Sequence, residues 1–311
     1  MAKKIKFSPL FWPIQLKGNT IYILDETLLP HKVKYIKAKT YQESCKAIKQ
    51  MKTRAVGQVL LVLYTFLLVI KQSKGSKNLE RVAKAIEASR PTLSFKYLTD
   101  MVLGWQKKGA PLEKSIIGFL EMLKAKRIQQ AKEAVKLVKN KDVILTHCNV
   151  SGLMPLIGEL AKKQKKTLSF FVTETRPYLQ GARLTAWELK QAGLKVTLIT
   201  DNMVAQVMHE KKVNKVIVGS DNLAQNGDIA NKIGTFQIAL VAKYFKIPFY
   251  VLCPPASRAK TGKDIKIEIR PDKELLVYQR LQLAPKGVRG YYPAFDITPN
   301  NLITKHIYLG V

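Results

Sequence analysis

The second part of the chain alternates short apolar runs with helix-like patterns, and this alternation restricts the fold more than any other feature of the sequence. The apolar runs lie at residues 142–147, 168–174, 195–200, 215–220 and 249–254. Helical patterns lie between them, as in LTAWELKQAG (184–193) and NKIGTFQIALVAKYF (231–245). Strands that alternate with helices form βαβ units and a parallel sheet. The sequence therefore predicts a Rossmann-like C-terminal domain.

Four of these runs end in polar or small residues, which indicates a common site. The residues are His147-Cys148-Asn149, Glu174-Thr175-Arg176, Asp201-Asn202 and Gly219-Ser220-Asp221. Ligands of open parallel sheets bind beyond the carboxyl ends of the strands. Four strand ends with polar side chains therefore predict a ligand site at one edge of the sheet.

The first part of the chain mixes short strand-like segments with helical patterns. Residues 41–53 and 57–72 are predicted helices, and residues 112–139 have the apolar spacing of one long amphipathic helix or two in series. The apolar run 59–70 is too short for a membrane span of ~20 residues, so we interpret it as a buried helix. We expect an α/β protein with a small, mostly helical N-terminal domain (1–125) and a Rossmann-like catalytic domain (126–311).

The chain is strongly basic, with 53 Lys and Arg against 22 Asp and Glu and a net charge of +31. This balance favours phosphates, nucleic acids or acidic membrane surfaces as partners. The lysines are scattered singly and in pairs, without zinc-finger spacing or an RNA-recognition signature. We interpret them as a solvated surface and expect neither a nucleic-acid partner nor a membrane partner.

The cysteines and the N-terminal segment indicate the cellular setting, and the motif content indicates whether a cofactor is needed. Cys45, Cys148 and Cys253 do not make a disulfide framework, and no apolar stretch of a signal peptide follows the basic start MAKKIKF. We therefore expect a cytoplasmic protein. There is no dinucleotide fingerprint or P-loop, and the four histidines lack metal-ligand spacing, so we expect no cofactor and no metal.

Cys148 is a candidate for chemistry because it stands at a strand end, before Asn-x-Ser-Gly and an expected helix start. Most buried cysteines are inert small hydrophobes. A helix N-terminus would lower the pKa of the thiol, whereas an apolar pocket would keep it protonated as an acid. The sequence leaves both alternatives open.

Three further side chains are candidates for the same site. Asp221 follows Gly219 at another strand end, where it is either reactive or the cap of the next helix. Lys232 is expected near the start of that helix, where a cation and backbone N–H groups suit a bound phosphate. Gln180, beside Gly181, could reach a sugar hydroxyl. His147 is interpreted as a structural histidine.

Six segments together resemble one known family: THCN, ETRPYLQGARLTAWELKQAG, LITDNM, GSDNLAQNGDIANKIGT, IPFYV and YYPAFDITP. This family contains methylthioribose-1-phosphate isomerase, ribose-1,5-bisphosphate isomerase and the regulatory subunits of translation initiation factor 2B. The resemblance covers nearly the whole chain and is most specific between residues 143 and 247.

The resemblance implies a homodimer that catalyses a cofactor-free aldose–ketose isomerisation of a phosphorylated pentose in methionine salvage. It implies catalytic roles for Cys148 and Asp221. It also implies a set of substrate-binding residues: Arg54, Arg90, Gln180, Asn231 and Lys232.

The motifs match two different substrates of the family. The loop TRAVGQV and the segment VTETRP are closer to ribose-1,5-bisphosphate isomerase, whereas Asp228 and the tail YPAFDITP match the methylthioribose enzyme. We expect 5-methylthioribose 1-phosphate to be converted to 5-methylthioribulose 1-phosphate. The alternatives are the bisphosphate isomerase and a non-catalytic regulatory subunit.

Overall fold

The computed structural model describes residues 6–73, 78–90, 95–278 and 281–310. The chain divides into two compact units, one of residues 7–126 and one built mainly of the residues from 127 onward. The division falls inside a single helix, Leu112–Lys136.

Within its described residues, the first unit contains a three-stranded antiparallel sheet, four helices and the first part of a fifth. The helix predicted at 57–72 is present, whereas the helix predicted at 41–53 ends at Lys49. The strands are β1 (Ile14–Lys17), β2 (Thr20–Leu24) and β3 (Tyr35–Ala38). The helices are α1 (Tyr41–Lys49), α2 (Val56–Ser73), α3 (Leu79–Ser89), α4 (Lys96–Lys107) and α5 (Leu112–Lys136). α1 begins at a capping box of Thr40 and Glu43. Residues 112–136 form one helix rather than two.

Helix α2 contains the apolar run that was predicted to be buried. Its 18 residues are long and apolar enough to cross a membrane, but 61% of them are buried inside the structure. The core helices of ordinary domains can be equally long and apolar, so the burial of α2 agrees with the prediction.

The second unit is built on a six-stranded parallel sheet, as the alternating pattern predicted. Its strands are β4 (Val143–Thr146), β5 (Ser169–Thr173), β6 (Lys195–Ile199), β7 (Lys215–Gly219), β10 (Phe249–Cys253) and β14 (Lys305–Tyr308). Counted along the chain, their spatial order is 3-2-1-4-5-6, the order of the Rossmann fold. The Rossmann-like prediction is confirmed, and the final strand β14 is an addition that the sequence pattern did not reveal.

Short helices connect the strands and bury apolar side chains against the sheet. They are α6 (Leu153–Lys163), α7 (Ala186–Gln191), α8 (Val204–His209) and α9 (Thr235–Tyr244). Val216, Val218 and Val251 on the central strands are fully buried. They pack in one core with Ile238 and Ala239 of α9. A strand covered on both faces needs such a continuous apolar run.

Two small β-structures extend the second unit. The first is an antiparallel sheet of β8 (Asn222–Leu223), β9 (Ile229–Lys232) and β13 (Phe295–Thr298). The second is α10 (Lys273–Leu276) followed by the paired strands β11 (Val277–Tyr278) and β12 (Leu281–Gln282). Residues 231 and 232, predicted to open a helix, therefore end a strand instead. The helix begins only at Thr235, after Gly234 turns the chain at φ +104°.

Candidate active site

The topology of the sheet brings the two catalytic candidates to neighbouring strand ends. Cys148 follows β4 and Asp221 follows β7, and these strands pair side by side in the sheet. The chain runs from β4 outward through β5 and β6, and then crosses back to β7. The crevice between β4 and β7 is thus the switch point at which Rossmann-like folds bind ligands.

The turn after β4 holds Cys148 in an unusual backbone conformation. Cys148 has φ +60°, and four residues separate it from the start of α6 at Leu153. Its backbone N–H donates to Thr175 Oγ1 at 2.9 Å, and its carbonyl accepts from Thr185 Oγ1 at 2.5 Å. The thiol is half-buried. Cys148 therefore precedes the helix and does not lie in its first turn.

His147 connects the cysteine turn to the segment that carries Lys232. Its Nε2 lies 2.9 Å from the carbonyl oxygen of Ile233, and its Nδ1 lies 2.6 Å from Thr173 Oγ1. Since a carbonyl only accepts, Nε2 carries the proton and Nδ1 accepts from the threonine. Burial lowers the pKa of His147, so the ring is neutral near pH 7. Both ring nitrogens serve the fold, which agrees with a structural histidine.

Asp221 is followed by a strand, not by a helix. Its backbone N–H donates to the carbonyl of Ala230 at 2.9 Å, which starts the pairing of β8 with β9. The side chain is exposed at the carboxyl edge of the sheet. The alternative that Asp221 caps the next helix is therefore wrong, because α9 begins only at Thr235.

The carboxylate at the start of α9 comes from Asp296, which sequence analysis did not single out. Asp296 accepts from the backbone N–H groups of Gly234 at 2.7 Å and Phe236 at 3.1 Å. Burial raises the pKa of this carboxyl to about 6, against the opposing effect of these hydrogen bonds. Asp296 lies opposite Asn231 in the pairing of β13 with β9. It thus fixes the turn that follows Lys232.

Lys232 and Asn231 end strand β9 and are both buried, with 7% and 4% of their surfaces exposed. The Nζ of Lys232 lies 4.7 Å from the ring centroid of Phe295 and 5.9 Å from that of Tyr292. Aromatic faces stabilise a cation in this position without neutralising its charge. Asn231 Nδ2 donates to Thr235 Oγ1 at 3.0 Å, which holds the side chain against the start of α9.

Gln180 supplies a buried acceptor that lacks a hydrogen-bond partner. Only 6% of its surface is exposed, and its Oε1 has no partner among the residues that the structure describes. Contacts on both sides of Gln180 fix its loop. On the preceding side, Leu179 N–H donates to Thr175 O at 2.8 Å. A Cβ on the next residue, Gly181, would lie 1.8 Å from Thr173 O, so only glycine fits there. A buried unpaired acceptor is costly, and a ligand hydroxyl would satisfy it.

The second unit therefore links five of the seven predicted site residues. Three hydrogen bonds join separate segments: Cys148 to Thr175, His147 to Ile233, and Asp221 to Ala230. A fourth bond, from Leu179 to Thr175, closes the turn beside Gln180. The residues so linked are Cys148, Gln180, Asp221, Asn231 and Lys232.

Arg54 and Arg90 belong to the first unit, beside the start of α2. Arg54 lies two residues before this helix begins, and its backbone N–H donates to Glu26 Oε1 at 3.1 Å. Burial raises the pKa of Glu26 to about 7. Arg90 Nη1 donates to the side chain of Gln58, in the first turn of α2, at 2.7 Å. Arg90 therefore brings a guanidinium group to the N-terminus of α2, a setting that favours anions.

The cysteine turn is also anchored by residues that sequence analysis missed. Arg127 Nη2 donates to the carbonyl of Ser151 at 2.5 Å. Burial lowers the pKa of Arg127 to about 10, and the nearby charge of Glu188 opposes this effect. The only signal in the sequence was a charged residue on the buried face of an amphipathic helix.

The fold and site define the class: a Rossmann-like α/β protein with acid–base candidates at its topological switch point and a buried lysine at the end of β9. Residues 37–308 match the Initiation factor 2 subunit family, and the chain belongs to this family.

Similar proteins carry the names of an isomerase and of a translation factor. Methylthioribose-1-phosphate isomerase 1 of Pseudothermotoga lettingae is 36% identical over 319 aligned residues, which cover 94% of this chain and 91% of the relative. The crystal structure of 5-methylthioribose 1-phosphate isomerase from Pyrococcus horikoshii has a TM-score of 0.84 at 29% identity, covering 98% of this chain and 94% of that chain. The delta subunit of translation initiation factor eIF-2B from A. fulgidus has a TM-score of 0.82 at 31% identity, covering 96% of this chain and 94% of that chain.

Proposed function

We propose that the protein is an aldose–ketose isomerase that converts 5-methylthioribose 1-phosphate to 5-methylthioribulose 1-phosphate in methionine salvage. The observation that carries the proposal is the position of Cys148 and Asp221 after the ends of the adjacent strands β4 and β7. A purely binding subunit needs neither a thiol nor a carboxylate at this crevice. The names of the most similar relatives support the same reaction.

The reaction requires two kinds of hydrogen transfer, and the site offers two different groups for them. A sugar with phosphate on C1 cannot open its ring by simple mutarotation. The ring oxygen must gain a proton as its bond to C1 breaks, and the C2 hydroxyl must lose its proton as the ketone forms. The C2 hydrogen must also reach C1. We assign the proton of the ring or hydroxyl oxygen to Asp221 and the hydrogen at carbon to Cys148.

The substrate-binding assignments follow the chemistry of each side chain. Lys232 lies with its Nζ against the ring of Phe295 and is proposed to neutralise phosphate. Gln180 Oε1 is proposed to accept a hydrogen bond from a sugar hydroxyl, and Asn231 to hold the segment between Asp221 and α9. Arg54 and Arg90 are proposed phosphate ligands on the basis of the family resemblance.

Lys232→Ala is expected to weaken substrate binding by roughly 10- to 100-fold, because a charge-assisted contact contributes about 1.5–3 kcal/mol. Binding can be measured by titration calorimetry in a Cys148→Ser background, where turnover does not interfere. Lys243→Ala serves as the matched control, since it removes an exposed lysine from the far end of α9. If both variants bind like the parent, Lys232 does not hold the phosphate.

Competition between two sugars is expected to favour 5-methylthioribose 1-phosphate over ribose 1,5-bisphosphate. The sequence match at Asp228 does not support this preference, because both carboxylate oxygens of Asp228 have a structural role. They accept hydrogen bonds from the backbone N–H groups of Gly262 and Asn300. The preference rests on the relatives. An apolar contact alone discriminates by about 1–3 kcal/mol. NMR of a mixture measures both rates, and a higher kcat/KM for the bisphosphate would reassign the substrate while retaining the isomerase.

The rival function is a regulatory subunit, and the likeness to the eIF-2B delta subunit is the observation that favours it. Purified protein incubated with each sugar phosphate separates the two functions. Ketose formation that depends on Cys148 supports the isomerase, whereas binding of either sugar without turnover supports the subunit.

We further propose that the protein works in the cytoplasm as a homodimer, as the family resemblance implies. Light scattering coupled to size exclusion is expected to give twice the 35.1 kDa of one chain. A mass of 35.1 kDa at working concentration would contradict the dimer.

A further inference from the structure

Two buried threonines hold both backbone polar groups of Cys148. Thr175 Oγ1 accepts from the N–H, and Thr185 Oγ1 donates to the carbonyl oxygen. Both threonines are completely buried. They reach the cysteine from different segments: Thr175 follows β5, and Thr185 precedes α7. The peptide units on either side of Cys148 are therefore fixed by side chains distant in sequence.

The direction of the Thr185 hydrogen bond is set by its neighbours. Asn149 Oδ1 accepts from the N–H of Ser151 at 2.9 Å, which fixes the orientation of the amide. Asn149 Nδ2 then donates to Thr185 Oγ1 and to Glu188 Oε1, both at 2.9 Å. With its oxygen accepting from Asn149, the Thr185 hydroxyl directs its hydrogen to the carbonyl of Cys148.

Thr175 has the complementary arrangement. Its hydroxyl donates to Thr173 O at 3.3 Å, so its oxygen accepts from Cys148 N–H. The two threonines thus act in opposite senses, one as acceptor and one as donor.

The backbone of Cys148 needs this restraint because its φ of +60° lies in the left-handed region. For a residue with a side chain, this conformation costs roughly 1–2 kcal/mol. Removing one hydroxyl would allow the peptide to relax towards negative φ and would move the thiol with it. Small displacements of a reacting group have large effects on rate.

We propose that Thr175 and Thr185 are positioning residues that clamp the backbone of Cys148 and so aim its thiol at the substrate. The proposal rests on the proposed function in taking Cys148 as the group that acts on the sugar. The clamp itself is a property of the turn and can be measured without turnover.

The test compares Thr185→Val, which keeps the shape but removes the hydroxyl, with Thr185→Ser, which keeps the hydroxyl. For the valine variant we expect kcat to fall about 10- to 100-fold, with KM within about threefold of wild type. The serine variant is expected to retain kcat within about threefold. Alkylation of Cys148 by iodoacetamide, followed by mass spectrometry, should accelerate about fivefold in the valine variant only.

Each outcome bears on the clamp. Unchanged kcat and alkylation in Thr185→Val would overturn it. A serine variant as impaired as the valine variant would also overturn it, since the hydroxyl would then not be the cause. If Thr185→Val fails to fold, Thr175→Val and Thr175→Ser provide the same comparison. If wild type shows no isomerase activity, the proposed function fails, while the alkylation rates still decide the clamp.

Discussion

Cys148→Ser is expected to lower kcat by roughly 10²–10⁴-fold, the range that a positioned acid or base contributes. The hydroxyl keeps the shape of the side chain, but its pKa lies far above the value of about 8.5 for a free thiol. Substrate binding should change by only a few-fold, because the phosphate contacts remain. Initial rates followed by NMR, together with calorimetric binding, separate the two effects.

Cys45→Ser is the matched control for this variant. Cys45 lies in α1, and burial raises the pKa of its thiol to about 11, so it carries no reactive thiolate near pH 7. Its replacement should leave kcat unchanged. Near-normal turnover of Cys148→Ser would remove the thiol from the mechanism.

Asp221→Asn is expected to reduce kcat by a similar factor of roughly 10²–10⁴, because an amide cannot exchange a proton in this range. The fold should tolerate the change. The bond that places Asp221 uses its backbone N–H, donated to Ala230 O at 2.9 Å, and the side chain is exposed. A steady-state rate and a thermal midpoint, measured on the same preparation, distinguish lost chemistry from lost stability.

Asp100→Asn offers a control with the same chemical change on an exposed helix surface. Asp100 pairs with Lys96 at 3.0 Å in α4, and such exposed pairs add little to stability. This variant should retain full activity. If Asp221→Asn also retains its activity, the carboxylate has no role in proton transfer and the assignment of the acid–base pair is wrong.

The two variants also test whether the groups act as a unit. When two residues serve one chemical step, removing both costs little more than removing one. We therefore expect Cys148→Ser combined with Asp221→Asn to be nearly as slow as either single variant.

Local sequence patterns determined five strands of the parallel sheet to within about one residue: β4, β5, β6, β7 and β10. Residues 195–200 were predicted as a strand, and β6 covers Lys195–Ile199; residues 215–220 correspond to β7, Lys215–Gly219. This accuracy has a physical reason: a buried parallel strand needs an unbroken apolar run, and a polar residue ends it. The same logic placed Cys148 and Asp221 at strand ends.

Local patterns failed where a short strand replaced an expected helix start. Residues 229–232 form β9 because they pair with β13, more than sixty residues later in the chain. Nothing within a few residues of Lys232 indicates this partner. The same pairing brings Asp296 to the start of α9, so the role that sequence analysis considered for Asp221 belongs to a distant residue.

The sequence by itself determined the fold class and which residue types stand at the strand ends, because burial and side-chain periodicity act over a few residues. The tertiary structure decided which of those ends are neighbours: the strand order 3-2-1-4-5-6 sets β4 against β7 and hence Cys148 near the switch point with Asp221. It also left Gln180 Oε1 without a hydrogen-bond partner among the described residues, and it brought the hydroxyl groups of Thr175 and Thr185 to the backbone of Cys148. These contacts join segments about 25 to 75 residues apart, and hydrogen-bond satisfaction over such separations depends on packing rather than on local pattern.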